Sequence, residues 1–193
     1  MQEEEYIKFH CMWIEKSLPE DISINDLNFW RDKLYRQKLI GAYADGVGYG
    51  NISIRLTNNT FLITGTKTGN NTKLTNEHYT IVTGYDLAQN RVNCKGPVMA
   101  SSESLTHAIL YESLPEINAV VHIHSEALWK RQINKVPTTS LQVEYGTPEM
   151  ALEIKRLIDT ERLAGVKILA MAGHKDGLLA FGKDLAEAAH KFL

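Results

Sequence analysis

Three histidines in this 193-residue chain have spacing and context suited to holding a metal ion. The stretch AVVHIHS at 119–125 is an apolar run that ends in His122 and His124. Residues two apart on a strand point to the same face. Their β-carbons then stand roughly 7 Å apart, close enough for both imidazoles to lean toward one centre. A third histidine, His174, sits in MAGHKDG, a turn between two apolar stretches. Three imidazoles with one position left open is the usual catalytic zinc arrangement. Taken singly, each histidine also fits an ordinary strand end or hairpin tip. His10, His78, His107 and His190 are weaker candidates: His10 and His78 have no paired ligand nearby, and His190 sits beside Lys191 on the last predicted helix.

A metal that activates a substrate needs a group to move protons. In SSESLTH, Glu103 falls in the first turn of a helix predicted from about 102 to 114, where the helix dipole favours negative charge. His107 is four residues on, on the same helical face, placed either to orient Glu103 or to pack. Ser101 and Ser102 can cap this helix. With its free N–H groups they can also hold an anion such as phosphate. Gly50-Asn51 and the stretch Thr64 to Gly69 add small and hydroxylated loop residues, with Lys67 as a complementary charge.

The elements that must position these residues read as a mixed α/β pattern. Helices are predicted over 3–16 and 25–40. In the second, Asn25 is the candidate N-cap, and Leu27, Trp30, Leu34 and Ile40 share a face. GAYADGVGYG follows as a glycine-rich loop. Strands are predicted at 51–56, 60–65, 80–84 and 91–96, the first two joined as a hairpin at Asn58-Asn59. After the 102–114 helix come a strand at 119–124, a helix near 125–134, a short strand around 140–144 and a helix over 147–160. Two strands flanking HKD and a last helix complete the chain. Clustered hairpins with helices before and after give an α/β class with a mixed, mostly antiparallel sheet. The expected organisation is one domain over 1–193, with 1–24 as an N-terminal helical extension.

Composition narrows the function. The net charge is -2, so no electrostatic case exists for nucleic acid. No apolar run is long enough for a membrane span, and the acidic start does not resemble a signal peptide. A cytoplasmic enzyme or binding protein is expected. The two cysteines, Cys11 and Cys94, lack CxxC spacing and read as free thiols.

The motifs GNISIR (50–55), LIT with a downstream TG (62–69), KLTNEH (73–78), SSESLTH (101–107), AVVHIHS (119–125) and GH (173–174) together resemble the class II aldolase/adducin family. They run in that family's order and cover about residue 25 onward. The family includes fuculose- and rhamnulose-phosphate aldolases, a ribulose-phosphate epimerase and a methylthioribulose-phosphate dehydratase. The resemblance implies a three-layer α/β/α sandwich, a homotetramer with active sites at subunit interfaces, and a divalent metal, usually zinc. It implies His122, His124 and His174 as ligands and Glu103 as the acid–base residue. Gly50, Asn51, Ser101 and Ser102 correspond to the phosphate-binding residues. So do Thr68 and Gly69, with Thr66 as the alternative threonine.

Departures bear on the reaction. The segment after the histidine pair is short, and no tyrosine falls where family aldolases carry an acid; Tyr145 is the nearest. The chain stops at Leu193, and His174 is followed by Lys-Asp rather than directly by Gly. The expected function is a metal-dependent lyase cleaving a hydroxy-ketone or sugar phosphate through a metal-stabilised enediolate. An epimerase or dehydratase acting on a ketose phosphate, or a non-catalytic adducin-like oligomerising module, are the alternatives.

Overall fold

The computed structural model describes residues 9–160 and 163–193. Its strands are β1 (His10–Glu15), β2 (Gly41–Ala42), β3 (Gly48–Tyr49), β4 (Asn51–Thr57), β5 (Thr60–Thr64), β6 (Tyr79–Asp86), β7 (Arg91–Gly96), β8 (Ala119–His124), β9 (Ile168–Ala170) and β10 (Gly177–Gly182). Its α-helices are α1 (Asn25–Arg36), α2 (Ser104–Ser113), α3 (Glu126–Gln132), α4 (Pro148–Thr160), α5 (Leu163–Val166) and α6 (Leu185–Ala189). Eight strands form one sheet in the order β1-β7-β6-β5-β4-β8-β10-β9, and only the β1–β7 pair is parallel. β2 and β3 make a small separate hairpin.

Alternation along the strands builds two cores. On one face Ile63, Val82, Cys94, Val120, Leu179 and Phe181 pack under α2 and α4. On the other, Ile52, Leu62, Val121, Ile123, Leu178 and Ala180 pack under α1 and α6. The result is the expected three-layer sandwich. Leu27 and Leu34 of α1 are fully buried, at about 1.5–3 kcal/mol each for removing such a side chain from water. No helix among the described residues is long and apolar enough to cross a membrane.

Four local expectations are corrected. The helix predicted over 3–16, and with it the helical character of the 1–24 extension, fails at residues 10–15, which form β1; residues 3–8 lie outside the described residues. The register His10↔Arg91 to Glu15↔Gly96 supplies pairing from about 80 residues away, and the Trp13 indole donates to the Gly96 carbonyl at 2.8 Å. That long-range pairing overrides local propensity. Residues 140–144 are turns; strand pairing nearby is confined to a single bridge, Thr138 to Ala170. Asn25 is already inside α1, whose preceding residue is Ile24, and no side chain caps that end. Helix α2 also starts later than expected, so Glu103 occupies the N-cap position rather than the first turn.

Candidate metal centre

Strand β8 delivers the first two histidines as alternation requires. Ala119, Val121 and Ile123 enter one core, while Val120, His122 and His124 face the other side. His122 lies opposite Asn51 of β4 and Leu179 of β10. His174 arrives on the turn between β9 and β10. That turn is closed by bonds from the Met171 and Gly177 amides to the Gly177 and His174 carbonyls, at 3.0 and 2.9 Å. Gly173 is required there, because a β-carbon would stand 1.8 Å from the Val143 carbonyl oxygen. Gly50, at φ +74°, lets β4 begin beside the same centre; a β-carbon there would meet Ile40 and the His122 carbonyl oxygen.

One potential ligand nitrogen from each of His122, His124 and His174 lies within 4.8 Å of the other two. The Nε2 atoms of His124 and His174 are 2.9 Å apart, and the three ring centroids are separated by 4.5 to 5.2 Å. Burial drives the His122 imidazole well below its ordinary pKa, helped by the neighbouring imidazoles, and holds His124 at about 4. Both rings are therefore neutral at pH 7, the form that ligates metal.

The donor set fits a cation. The buried Nε2 of His122 has no hydrogen-bond partner, and neither has the buried Oδ1 of Asn51. The Asn51 amide nitrogen lies 3.4 Å from His122 Nδ1 and 3.2 Å from Ser101 Oγ. With this amide turned over, Oδ1 accepts from Nδ1–H and from the Ser101 hydroxyl. The Nε2 lone pair of His122 is then free for a metal. His124 is set by the same logic, since its Nδ1 lies 2.7 Å from the Tyr43 hydroxyl. Burial, then Asp176, push the Tyr43 phenol up to about 12, so it stays neutral. Outer partners of this kind fix a ligand's tautomer and orientation.

These groups open on a cavity of about 360 Å³, a size suited to a small ligand. All ten residues singled out in the sequence line it: Glu103; His122, His124 and His174; Gly50, Asn51, Thr68, Gly69, Ser101 and Ser102. Glu103 is only 3% exposed. The Ser101 hydroxyl accepts from the Glu103 amide at 3.3 Å, and the Ser101 carbonyl accepts from the amide of Ser104. Thr66, Lys67 and Lys175 line the cavity as well, so both candidate threonines reach it. The Thr68 hydroxyl donates to the Gly65 carbonyl at 2.8 Å.

Sequence reasoning missed the residues that brace these loops. Arg31 of α1 is buried and donates to the Thr68, Gly69 and Thr72 carbonyls at 3.3 to 3.4 Å, tying the threonine loop to the helix. Tyr43 and Tyr49 come from the glycine-rich stretch, whose aromatic residues were the available signal. Tyr145, set aside in the sequence, stacks on His174 with centroids 4.1 Å apart. Of the other histidines, His107 is buried under the sheet against Ser53, and His10 and His190 are exposed. His78 closes a capping box with Thr75.

Similarity to known proteins agrees with this geometry. Structures that share the fold include an L-fuculose 1-phosphate aldolase, at 20% identity and a TM-score of 0.61, covering 90% of this chain and 81% of that one. A sugar-phosphate aldolase from Thermotoga maritima aligns at 20% identity and 0.64, covering 86% and 87%. The N-terminal class II aldolase domain of a Thermoplasma acidophilum protein aligns at 16% identity and 0.56, covering 91% of each. The family model described as Class II Aldolase and Adducin N-terminal domain matches residues 37–193, and the chain belongs to that family.

Proposed function

We propose that this protein is a metal-dependent lyase that cleaves a phosphorylated hydroxy-ketone in the manner of an aldolase. The observation that carries the reading is the convergence of three imidazoles and Glu103 on one cavity that Ser101, Ser102, Thr66 and Thr68 also line. His122, His124 and His174 would hold a divalent cation, with zinc favoured by the all-nitrogen donor set. When bound, the ion supplies a Lewis acid for a substrate carbonyl.

The protein's own groups do the rest. Glu103, walled off from water at the α2 N-terminus, carries the proton to and from the substrate carbon or hydroxyl. The Ser101-Ser102 turn, Gly50-Asn51 and the Thr66–Gly69 loop hold the phosphate, with Lys67 matching its charge. Arg31 keeps the threonine loop in place through its carbonyls. Tyr43 keeps His124 in the ligating tautomer. A cytoplasmic homotetramer belongs to the same reading, the tetramer resting on the family resemblance and the location on the acidic N-terminal sequence.

The test is turnover. Protein loaded with zinc, cobalt or manganese is offered a panel of ketose phosphates and free ketoses. Aldehyde release, epimerisation and loss of water are followed separately. Aldehyde release that depends on the metal and favours phosphorylated substrates is expected. Epimerised or dehydrated products without aldehyde would replace the lyase by the second reaction type. No turnover by metal-replete protein would leave a binding module.

A further inference from the structure

The only two cysteines of the chain, 83 residues apart in sequence, meet in space. Cys11 on β1 and Cys94 on β7 place their sulfur atoms 3.3 Å apart. In the parallel register Cys11 faces Val92 and Cys94 faces Trp13, so the pair is diagonal across the two strands. Cys94 is buried in the core and Cys11 is half-buried at its margin. We propose that Cys11 and Cys94 are an oxidisable dithiol that hydroperoxides close into an intrachain disulfide, fastening the edge strand β1 to the sheet.

Closure needs β1 to shift, because diagonal partners on neighbouring strands stand roughly 7–8 Å apart, wider than an ordinary disulfide spans. A disulfide needs sulfurs at about 2.05 Å, so the gap shortens by roughly 1.3 Å. Among the described residues β1 is at the edge of the sheet with one strand neighbour, β7, so it can slide against that neighbour without disturbing a second pairing. Met12 and Ile14 of β1 are exposed, which leaves the strand's outer face free of packing that would resist the shift. The sulfurs also differ in character. The Cys11 thiol hydrogen-bonds to Cys94 and holds it at about 7, while that contact and burial raise Cys11. Cys94 therefore ionises before Cys11 and is the attacking sulfur.

The chemistry balances with a hydroperoxide as oxidant. The Cys94 thiolate attacks one peroxide oxygen and the O–O bond breaks; Cys94 becomes a sulfenic acid, and the departing oxygen takes a proton from solvent to leave as water from hydrogen peroxide or as the alcohol from an organic hydroperoxide. The Cys11 sulfur then attacks the Cys94 sulfur, its thiol proton leaves with the hydroxyl as water, and the S–S bond forms. Cys94 is 1% exposed, so a small peroxide suits the site and a bulky disulfide does not. Strands β6, β5 and β4 separate this pair from His122 on β8, while Ala100, the residue before Ser101, hydrogen-bonds to both thiols through its backbone.

The test is peptide mapping. Reduced protein is treated with hydrogen peroxide, its remaining thiols are alkylated, and it is digested with trypsin without reduction. A linked pair of peptides, 9–16 joined to 92–95, is expected from monomeric protein, with amide exchange slowed across β1. Cys11→Ser should abolish the link and leave a Cys94 sulfenic acid that dimedone captures. Full alkylation of both cysteines after peroxide, separate over-oxidation without linkage, or linkage only between chains would overturn the proposal.

Discussion

His107 and His122 are both fully buried, both depressed in pKa, and both partnered at Nδ1 by a residue of β4. Ser53 lies 2.7 Å from His107, and Asn51 lies 3.4 Å from His122. Asn51 and Ser53 are two apart and so share a face of the sheet. The histidines differ in what surrounds their second nitrogen. His107 stacks over Phe61, and its Ser53 partner continues to the Tyr111 hydroxyl at 2.8 Å, deep under α2. His122 faces two further imidazoles at the mouth of a cavity. Burial alone therefore does not make a histidine a ligand. What distinguishes the candidate metal centre is convergence, supplied by a strand, a turn some 50 residues away and a loop that orients them.

Substitutions can break this contrast at several strengths. The largest separation is expected at the start of α2. Glu103→Gln should lower kcat by about 10²- to 10⁴-fold, the usual range for a removed acid–base group, and leave metal content unchanged. His107→Gln, one turn along the helix, should leave kcat within a few-fold of wild type, read in the same turnover assay. A smaller but more discriminating pair removes one hydroxyl from each histidine. Tyr43→Phe should weaken zinc binding about tenfold in a chelator competition, with the thermal midpoint little changed. Ser53→Ala should do the reverse. It leaves zinc affinity alone and costs about 1–3 kcal/mol in urea unfolding, because His107 and Tyr111 lose a buried partner.

A separate contrast is in pH dependence. The folded pKa of His107 is about 3, below the ordinary 6.5. The unfolded chain thus takes up a proton first as pH falls. The stability from burying neutral His107 is complete above about 6.5 and is lost progressively as pH falls toward 3. Metal-free protein should show falling urea midpoints over that window, and His107→Gln should flatten the slope. An unchanged slope would mean that His107 is not held neutral.

Much of the site was legible because its signals are local. Two-residue spacing put His122 and His124 on one face, and small and hydroxylated residues marked the anion loops. What stayed hidden depends on distant partners. Arg31 reads as an ordinary helix residue until the loop carbonyls at Thr68 and Gly69 meet it. Tyr145 gains its place only when the 140–147 turns fold against the His174 loop, where Gly173 meets Val143. The strand at 10–15 was read as helix because its pairing partner is β7, and nothing in its own sequence names that strand. The cysteines were invisible as a pair for the same reason.

The central claim is that His122, His124 and His174, and not the buried His107, hold a metal. Its most direct test is elemental analysis of zinc-loaded, desalted protein alongside His122→Ala, His174→Ala and His107→Gln. One equivalent of metal per chain is predicted for wild type and His107→Gln, with little or none in the other two. Equal metal in all four proteins, or in none, would contradict the account.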